Sequence, residues 1–213
     1  MDFKGEEEEN NIKVILIGDA GVGKTNLINV SSGKKFNDDE KSSLSASYLK
    51  KLITIDDVQY IISLWDTIGQ EKLRSLSKIF FKNSKIVIYV YDITNIESFK
   101  GLEAWDKDVK EMIGDDNIIK AIVGNKQDLY LNEQVSENKA NEYAKTLKAK
   151  FRLTSAKTEP KGFSSFLEEL LRDYIEKSGK IEKEGKVDKG KKNKNVKLSK
   201  KNLDQKHKKK KFC

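Results

Sequence analysis

The eight residues Gly18-Asp19-Ala20-Gly21-Val22-Gly23-Lys24-Thr25 constrain this chain more than any other stretch. They fit the pattern G-x-x-x-x-G-K-[ST] and follow the apolar run Val14-Ile15-Leu16-Ile17. A strand therefore enters a glycine-rich turn and leaves as a helix. Glycines at these spacings let the backbone take positive φ and bring its N–H groups close to phosphate oxygens. Lys24 is expected to reach the β- and γ-phosphates of a nucleotide, and the Thr25 hydroxyl to ligate Mg²⁺.

The rest of the chain alternates strand and helix around this turn. Lys13 to Ile17 is continuously apolar, as a buried parallel strand is, and a helix follows from Lys24 to Ser32. Residues 33–47 are polar with few core formers. Tyr48–Ile55 and Gln59–Trp65 read as two strands of a hairpin about an Asp56-Asp57 turn. Residues 71–82 look helical, and Lys85 to Tyr91 is a wholly apolar strand. Phe99, Leu102, Trp105, Val109 and Met112 give residues 97–113 a helical period. Ile118–Val123 is the next buried strand, 136–148 a helix, Phe151–Leu153 a short strand, and Phe163–Ile175 an amphipathic helix. The expectation is a doubly wound α/β sheet carrying one hairpin.

Composition narrows the chemistry. The single histidine is His207 and the single cysteine is Cys213. Both lie outside the predicted body, which therefore has no His-based triad, Cys nucleophile, His/Cys zinc site or disulfide. Carboxylates, amides, lysines, hydroxyls, backbone and a hard metal remain, a set suited to phosphoryl transfer to water. Charge is uneven: the net is +8, yet residues from Lys177 onward hold 16 lysines against 4 acids. A basic tail on a mildly acidic body predicts contact with an anionic surface. The acidic N-terminus reads neither as a secretory signal nor, with Asp2 where glycine is required, as a myristoylation start. No apolar run approaches the ~20 residues that span a bilayer.

Three further loops follow predicted strands and carry chemistry. Asp66-x-x-Gly69 offers an acid to hold Mg²⁺ through a water and a glycine N–H for the γ-phosphate, although alone it is as often only a turn. The Gln70 amide beside it can orient an attacking water. In Asn125-Lys126-Gln127-Asp128, the Asp128 carboxylate can accept from both N1–H and the 2-amino group of guanine, donors that adenine lacks together. Ser155-Ala156-Lys157 offers a backbone N–H to the guanine O6.

With GDAGVGKT, WDTIGQE, VYDIT, GNKQD and TSAK in this order, the chain resembles a small Ras-superfamily GTPase, most of all its Rab branch, over roughly residues 12–176. The resemblance implies a small G-domain, a mixed, mostly parallel six-stranded sheet flanked by helices. GTP and GDP would be its ligands, Mg²⁺ its cofactor, and GTP hydrolysis its activity as a switch in vesicle trafficking. Beyond the loop residues Gly18 to Thr25, it implies that Asn26, Phe36, Ser43, Gly69, Asn125, Lys126, Asp128, Leu129, Ser155, Ala156 and Lys157 contact the nucleotide. Thr25, Ser43 and Asp66 would form the Mg²⁺ side, and Gln70 with Lys24 the catalytic pair. Tyr48, Trp65 and Phe80 fall on the aromatic triad through which Rab proteins meet effectors; their other reading is three core residues at a sheet edge. No arginine finger is evident in cis, which implies a GTPase-activating protein alongside an exchange factor and effectors.

Departures from the family pattern bear on activity. Ser43 keeps a hydroxyl where the family has threonine, and Ser45 replaces a glycine. Ile68 replaces the small alanine before Gly69-Gln70, so the expectation is slow hydrolysis, or else a GTP-binding interaction module with little turnover. The expected organisation is an acidic arm over 1–11, the G-domain over 12–176 and a flexible polybasic tail over 177–213. Cys213 is terminal and alone, unlike a C-a-a-X box or the usual paired ending. One prenyl chain there plus the lysines would be a two-signal anchor; an unmodified basic tail is the alternative. Attachment to the cytosolic face of an internal membrane is expected. The tail lacks interleaved aromatics or arginines, so no nucleic-acid partner is expected.

Overall fold

A computed structural model describes residues 11–38, 47–67, 80–114 and 117–179. Ser43, Ser45, Ile68, Gly69, Gln70, most of the helix read over 71–82, the N-terminal arm up to residue 10 and the tail with Cys213 lie outside the described residues. The chain divides into two units, Met1–Tyr174 and Ile175–Cys213. In the second, residues 175–179 are helical.

The first unit is built on β1 (Asn11–Ile17), β2 (Ser47–Ile55), β3 (Val58–Asp66), β4 (Ile86–Asp92), β5 (Ile119–Asn125) and β6 (Lys150–Leu153). They form one six-stranded sheet in the order β2-β3-β1-β4-β5-β6. Only β2 runs antiparallel to its neighbour β3; β1 lies parallel between β3 and β4, and β5 and β6 continue in parallel. Helices α1 (Lys24–Ser31), α2 (Ile96–Ile113) and α3 (Glu137–Thr146) connect the strands, and α4 over 160–174 ends this unit. The mixed doubly wound sheet expected from the sequence is the one observed.

Every residue of β4 is buried, as its unbroken apolar run requires of a strand covered on both faces. Successive side chains alternate between faces. Ile15, Ile17, Val87, Tyr89 and Tyr91 point to the core that holds Phe99, Leu102, Trp105 and Val109 of α2. Hairpin β2–β3 turns on Asp56 and Asp57, both at positive φ (49° and 65°), the two-residue loop whose twist suits a hairpin. Arg172 of α4 donates to the Asp56 carboxylate at 2.9 Å.

The apolar period of α2 needs one correction. Met112, assigned to the inward face, is 44% exposed. Asp106 is buried instead, accepting from Tyr89 Oη (2.7 Å) on β4 and Lys120 Nζ (2.7 Å) on β5, with Lys110 also at 2.7 Å. Burial pushes the Asp106 carboxyl up, but these donors outweigh it and hold it below the usual carboxylate value.

Candidate functional site

The loops flagged in the sequence leave the C-terminal ends of β1, β3, β5 and β6, which lie on one edge because β1, β3, β4, β5 and β6 are mutually parallel. That edge is where open α/β sheets bind ligands.

The turn after β1 closes because two positions have no side chain. A Cβ on Gly18 would stand 2.1 Å from the Val90 carbonyl oxygen, and one on Gly23 would stand 2.3 Å from Asn125 Nδ2. Gly23 at φ 95° is the N-cap of α1, with no side-chain cap and no acid in the first turn. By contrast, α2 is capped by Asn95 with Glu97 in its first turn, and α3 by Ser136 with Glu137 in its first turn. The first N–H groups of α1 are thus left to an anion, which the helix dipole favours.

Lys24 is 6% exposed. Its ammonium curls back to the carbonyl oxygens of Gly18 (2.8 Å) and Asp19 (2.9 Å). Burial lowers its pKa from 10.5 to about 8, against the opposing pull of Asp66 and Asp19. Such an ammonium is poised to gain from a phosphate brought beside it. Asp19 is in turn fixed by the indole of Trp105 on α2, Nε1 to Oδ1 at 3.0 Å, a support with no direct sign in the sequence.

At the start of α1, Thr25 Oγ1 donates to Asp66 Oδ2 at 2.7 Å, and Thr67 Oγ1 donates to the Leu16 carbonyl at 2.7 Å. Helix α1 and the end of β3 therefore present a hydroxyl and a carboxylate together. Among the described residues, no three His, Cys, Asp or Glu side chains converge as a metal cluster. A pair of hard oxygens fits Mg²⁺, which keeps waters and takes further ligands from phosphate. Asn26 pairs with the backbone of Asn37 through both its amide groups (3.0 and 3.3 Å), fixing the chain as it leaves Phe36.

Asn125 unites the separate loops. Its Nδ2 donates to the Val22 carbonyl at 2.9 Å, and its Oδ1 accepts from Ala156 N at 3.2 Å. Lys126 sits at φ 67°, and its ammonium pairs with Asp92 at 2.7 Å. The Ser155 hydroxyl donates to Asp128 Oδ1 and accepts from Lys157 N (3.1 Å) and Thr158 N (3.0 Å). One serine thus sets both the carboxylate and the loop beside it. Lys157 pairs with Asp38 at 3.0 Å and lies 5.6 Å from the Phe36 ring centre. Leu129 is exposed on the short 3-10 helix Gln127–Asn132. The structure thus brings Gly18 to Thr25, Asp66, Phe36, Asn125, Lys126, Asp128 and Ser155 to Lys157 to one edge. Val90 and Asp92, inside the VYDIT stretch, and Trp105 are supporting residues to which the motifs assigned no role.

A separate aromatic face lies on the hairpin. Tyr48 stacks on Trp65 at 5.1 Å, and Trp65 tilts against Phe80 at 5.8 Å. Tyr48 is 58% exposed, and Lys13 Nζ stands 4.3 Å from the Trp65 ring.

Sheet order, phosphate turn and loop set define a P-loop GTPase domain. Comparison with known proteins gives the family: the Ras family profile matches residues 13–176. Ras-related protein Rab-21 of Geodia cydonium is 40% identical over 164 residues, 77% of this chain and 71% of that one. Human Rab-21 is 39% identical over 166 residues, 78% and 73% of the two chains. Rab-2B of Dictyostelium discoideum is 33% identical over 187 residues, 86% and 92%. The chain belongs to the Ras family, in its Rab branch, and is a Rab-like small GTPase of vesicle trafficking.

Proposed function

We propose that this chain is a slow GTP-hydrolysing switch whose nucleotide lies along the described sheet edge, phosphates on the β1 turn and guanine between Phe36 and the β5 and β6 loops. The observation that carries the reading is Asn125, bonded at once to Val22 of the phosphate turn and Ala156 of the base loop. Backbone N–H groups of residues 18 to 25 and the Lys24 ammonium would take the phosphates. Asp128, held by Ser155, would accept from the guanine N1–H and 2-amino group. Lys126, Leu129 and Lys157 would frame the base. Mg²⁺ would be held by Thr25 and Ser43, with Asp66 behind a water, and would neutralise phosphate charge.

Gln70 is proposed to orient a water whose oxygen bonds to the γ-phosphorus as the bond to the β–γ bridging oxygen breaks. Gly69 would present its N–H to the γ-phosphate. Ile68, beside both, favours low turnover. Tyr48, Trp65 and Phe80 supply the proposed effector face. The G-domain would span 12–176, between an acidic arm over 1–11 and a tail over 177–213. That tail, with a prenyl group on Cys213, would hold the protein to the cytosolic face of an internal membrane, and an exchange factor and GTPase-activating protein would set its state.

The test is to purify the chain in Mg²⁺, denature it and identify the released nucleotide by chromatography. Near-stoichiometric GDP is expected. Mostly GTP would leave a binding module with little hydrolysis, and adenine nucleotide would overturn the guanine assignment.

A further inference from the structure

Beside the base loop, with neither Asn125 nor Asp128 in its lining, a cleft of about 500 Å³ opens between the end of α1 and the start of α4. Its size is in the range of small-ligand sites, ~300–1,000 Å³. Phe36 and Pro160 give it apolar walls, and Lys34, Lys35, Lys157 and Lys161 also line it. Lys157 is neutralised by Asp38. Among the described residues, Lys34 Nζ donates to an amide oxygen, Asn29 Oδ1 at 3.3 Å. Among the described residues no ion pair engages Lys34, Lys35 or Lys161. Glu159 lies against Gly162 in the first turn of α4.

The floor makes no polar demand of its own. Lys51 Nζ donates to the Ser31 carbonyl (2.7 Å) and Ser164 Oγ (3.1 Å), so the polar groups where α1 meets α4 are already satisfied. What fits is a ligand with a flat apolar body and a negative group at one end. A bare anion would leave the aromatic wall unused, and a neutral ring would leave the lysines unneutralised.

We propose that this cleft binds an aromatic anion, an aryl phosphate or aryl carboxylate, with its ring against Phe36 and Pro160 and its charge among Lys34, Lys35 and Lys161. Phe36 and Lys157 border both this cleft and the base site. An occupant therefore braces the wall on which guanine packs, and it raises affinity for guanine nucleotide. That coupling rests on the function proposed above; binding in the cleft does not.

The experiment titrates phenyl phosphate into the GDP-loaded full-length chain and follows backbone amide shifts by NMR. Inorganic phosphate in a parallel titration tests the need for the ring. Shifts are expected at Lys34, Lys35, Ala156, Lys161 and Ser164, at concentrations where inorganic phosphate gives none. The Lys35→Glu/Lys161→Glu variant changes two exposed side chains and leaves the nucleotide machinery intact; it should lose those shifts. Saturating phenyl phosphate should tighten GDP binding about fivefold, the low end of site-to-site coupling. Shifts confined to the tail lysines, shifts that persist in the variant, or equal binding of inorganic phosphate would each overturn the site. Unchanged GDP affinity with the expected shifts would overturn the coupling. A chain that takes up no GDP would sink the nucleotide reading, and the titration repeated without GDP would still decide the cleft.

Discussion

Asn125 holds Val22 across 103 residues of sequence, through a buried Nδ2-to-carbonyl bond of 2.9 Å. Its other amide atom holds Ala156, so one side chain keeps phosphate turn and base loop in register. Asn125→Ala strips both buried partners of their bond, at ~1–3 kcal/mol for each polar group left unsatisfied. GDP affinity should fall at least tenfold by isothermal titration, with a lower melting temperature. A variant that melts lower yet binds GDP as tightly as wild type would reduce Asn125 to a packing residue.

Lys24 makes the free protein respond to alkali. Its folded pKa is about 8 against an ordinary 10.5. Between those values the unfolded chain keeps a proton that the folded chain has released, so stability rises as pH climbs through the window. Below about pH 8 both states are protonated and the burial penalty is constant. Melting of nucleotide-free protein should therefore rise from pH 8 toward pH 10 relative to Lys24→Met. Bound GDP should erase the difference, because phosphate restores the charged ammonium. Identical pH slopes for wild type and Lys24→Met would contradict this.

The Asp106–Lys120 pair costs more to halve than to remove. Asp106→Leu leaves the Lys120 ammonium buried without this carboxylate, a loss of ~3–5 kcal/mol in comparable buried pairs. Asp106→Leu/Lys120→Leu should recover most of that loss in urea unfolding. If the double variant is as unstable as the single one, the apolar replacement does not pack and the pair is specific in shape as well as charge.

The low turnover proposed for this chain rests on Ile68, which stands before Gly69-Gln70 in the sequence. Ile68→Ala, restoring a small side chain before Gly69-Gln70, should speed single-turnover hydrolysis severalfold while GTP affinity stays constant. No acceleration would place the limit elsewhere, with Ser43 or Ser45 the next residues to change.

The strands could be read because they are buried on both faces and so are nearly unbroken in Val, Ile and Tyr; β4 is the clearest case. The phosphate turn could be read because steric demand leaves Gly18 and Gly23 almost no alternatives. What escaped reading depends on contacts far apart in the chain. Nothing near Trp105 in sequence points to Asp19, 86 residues away. Asp106 carries no sign of burial in the sequence, because a charge on a helix normally faces solvent; its partners Tyr89 and Lys120 come from β4 and β5, and only the folded sheet brings them beneath it. Met112 followed the apolar period but lies in the last turn of α2 and is exposed.

The two tryptophans of the chain stand in opposite surroundings. Trp105 is fully enclosed and bonded to the phosphate turn through Asp19, whereas Trp65 lies on the hairpin between Tyr48, Phe80 and the Lys13 ammonium. The protein thus carries two intrinsic optical probes, an enclosed one joined through Asp19 to the proposed phosphate site and a half-buried one on the proposed effector face. Replacing either with phenylalanine isolates the other, so loading and docking can be timed separately without attaching a dye.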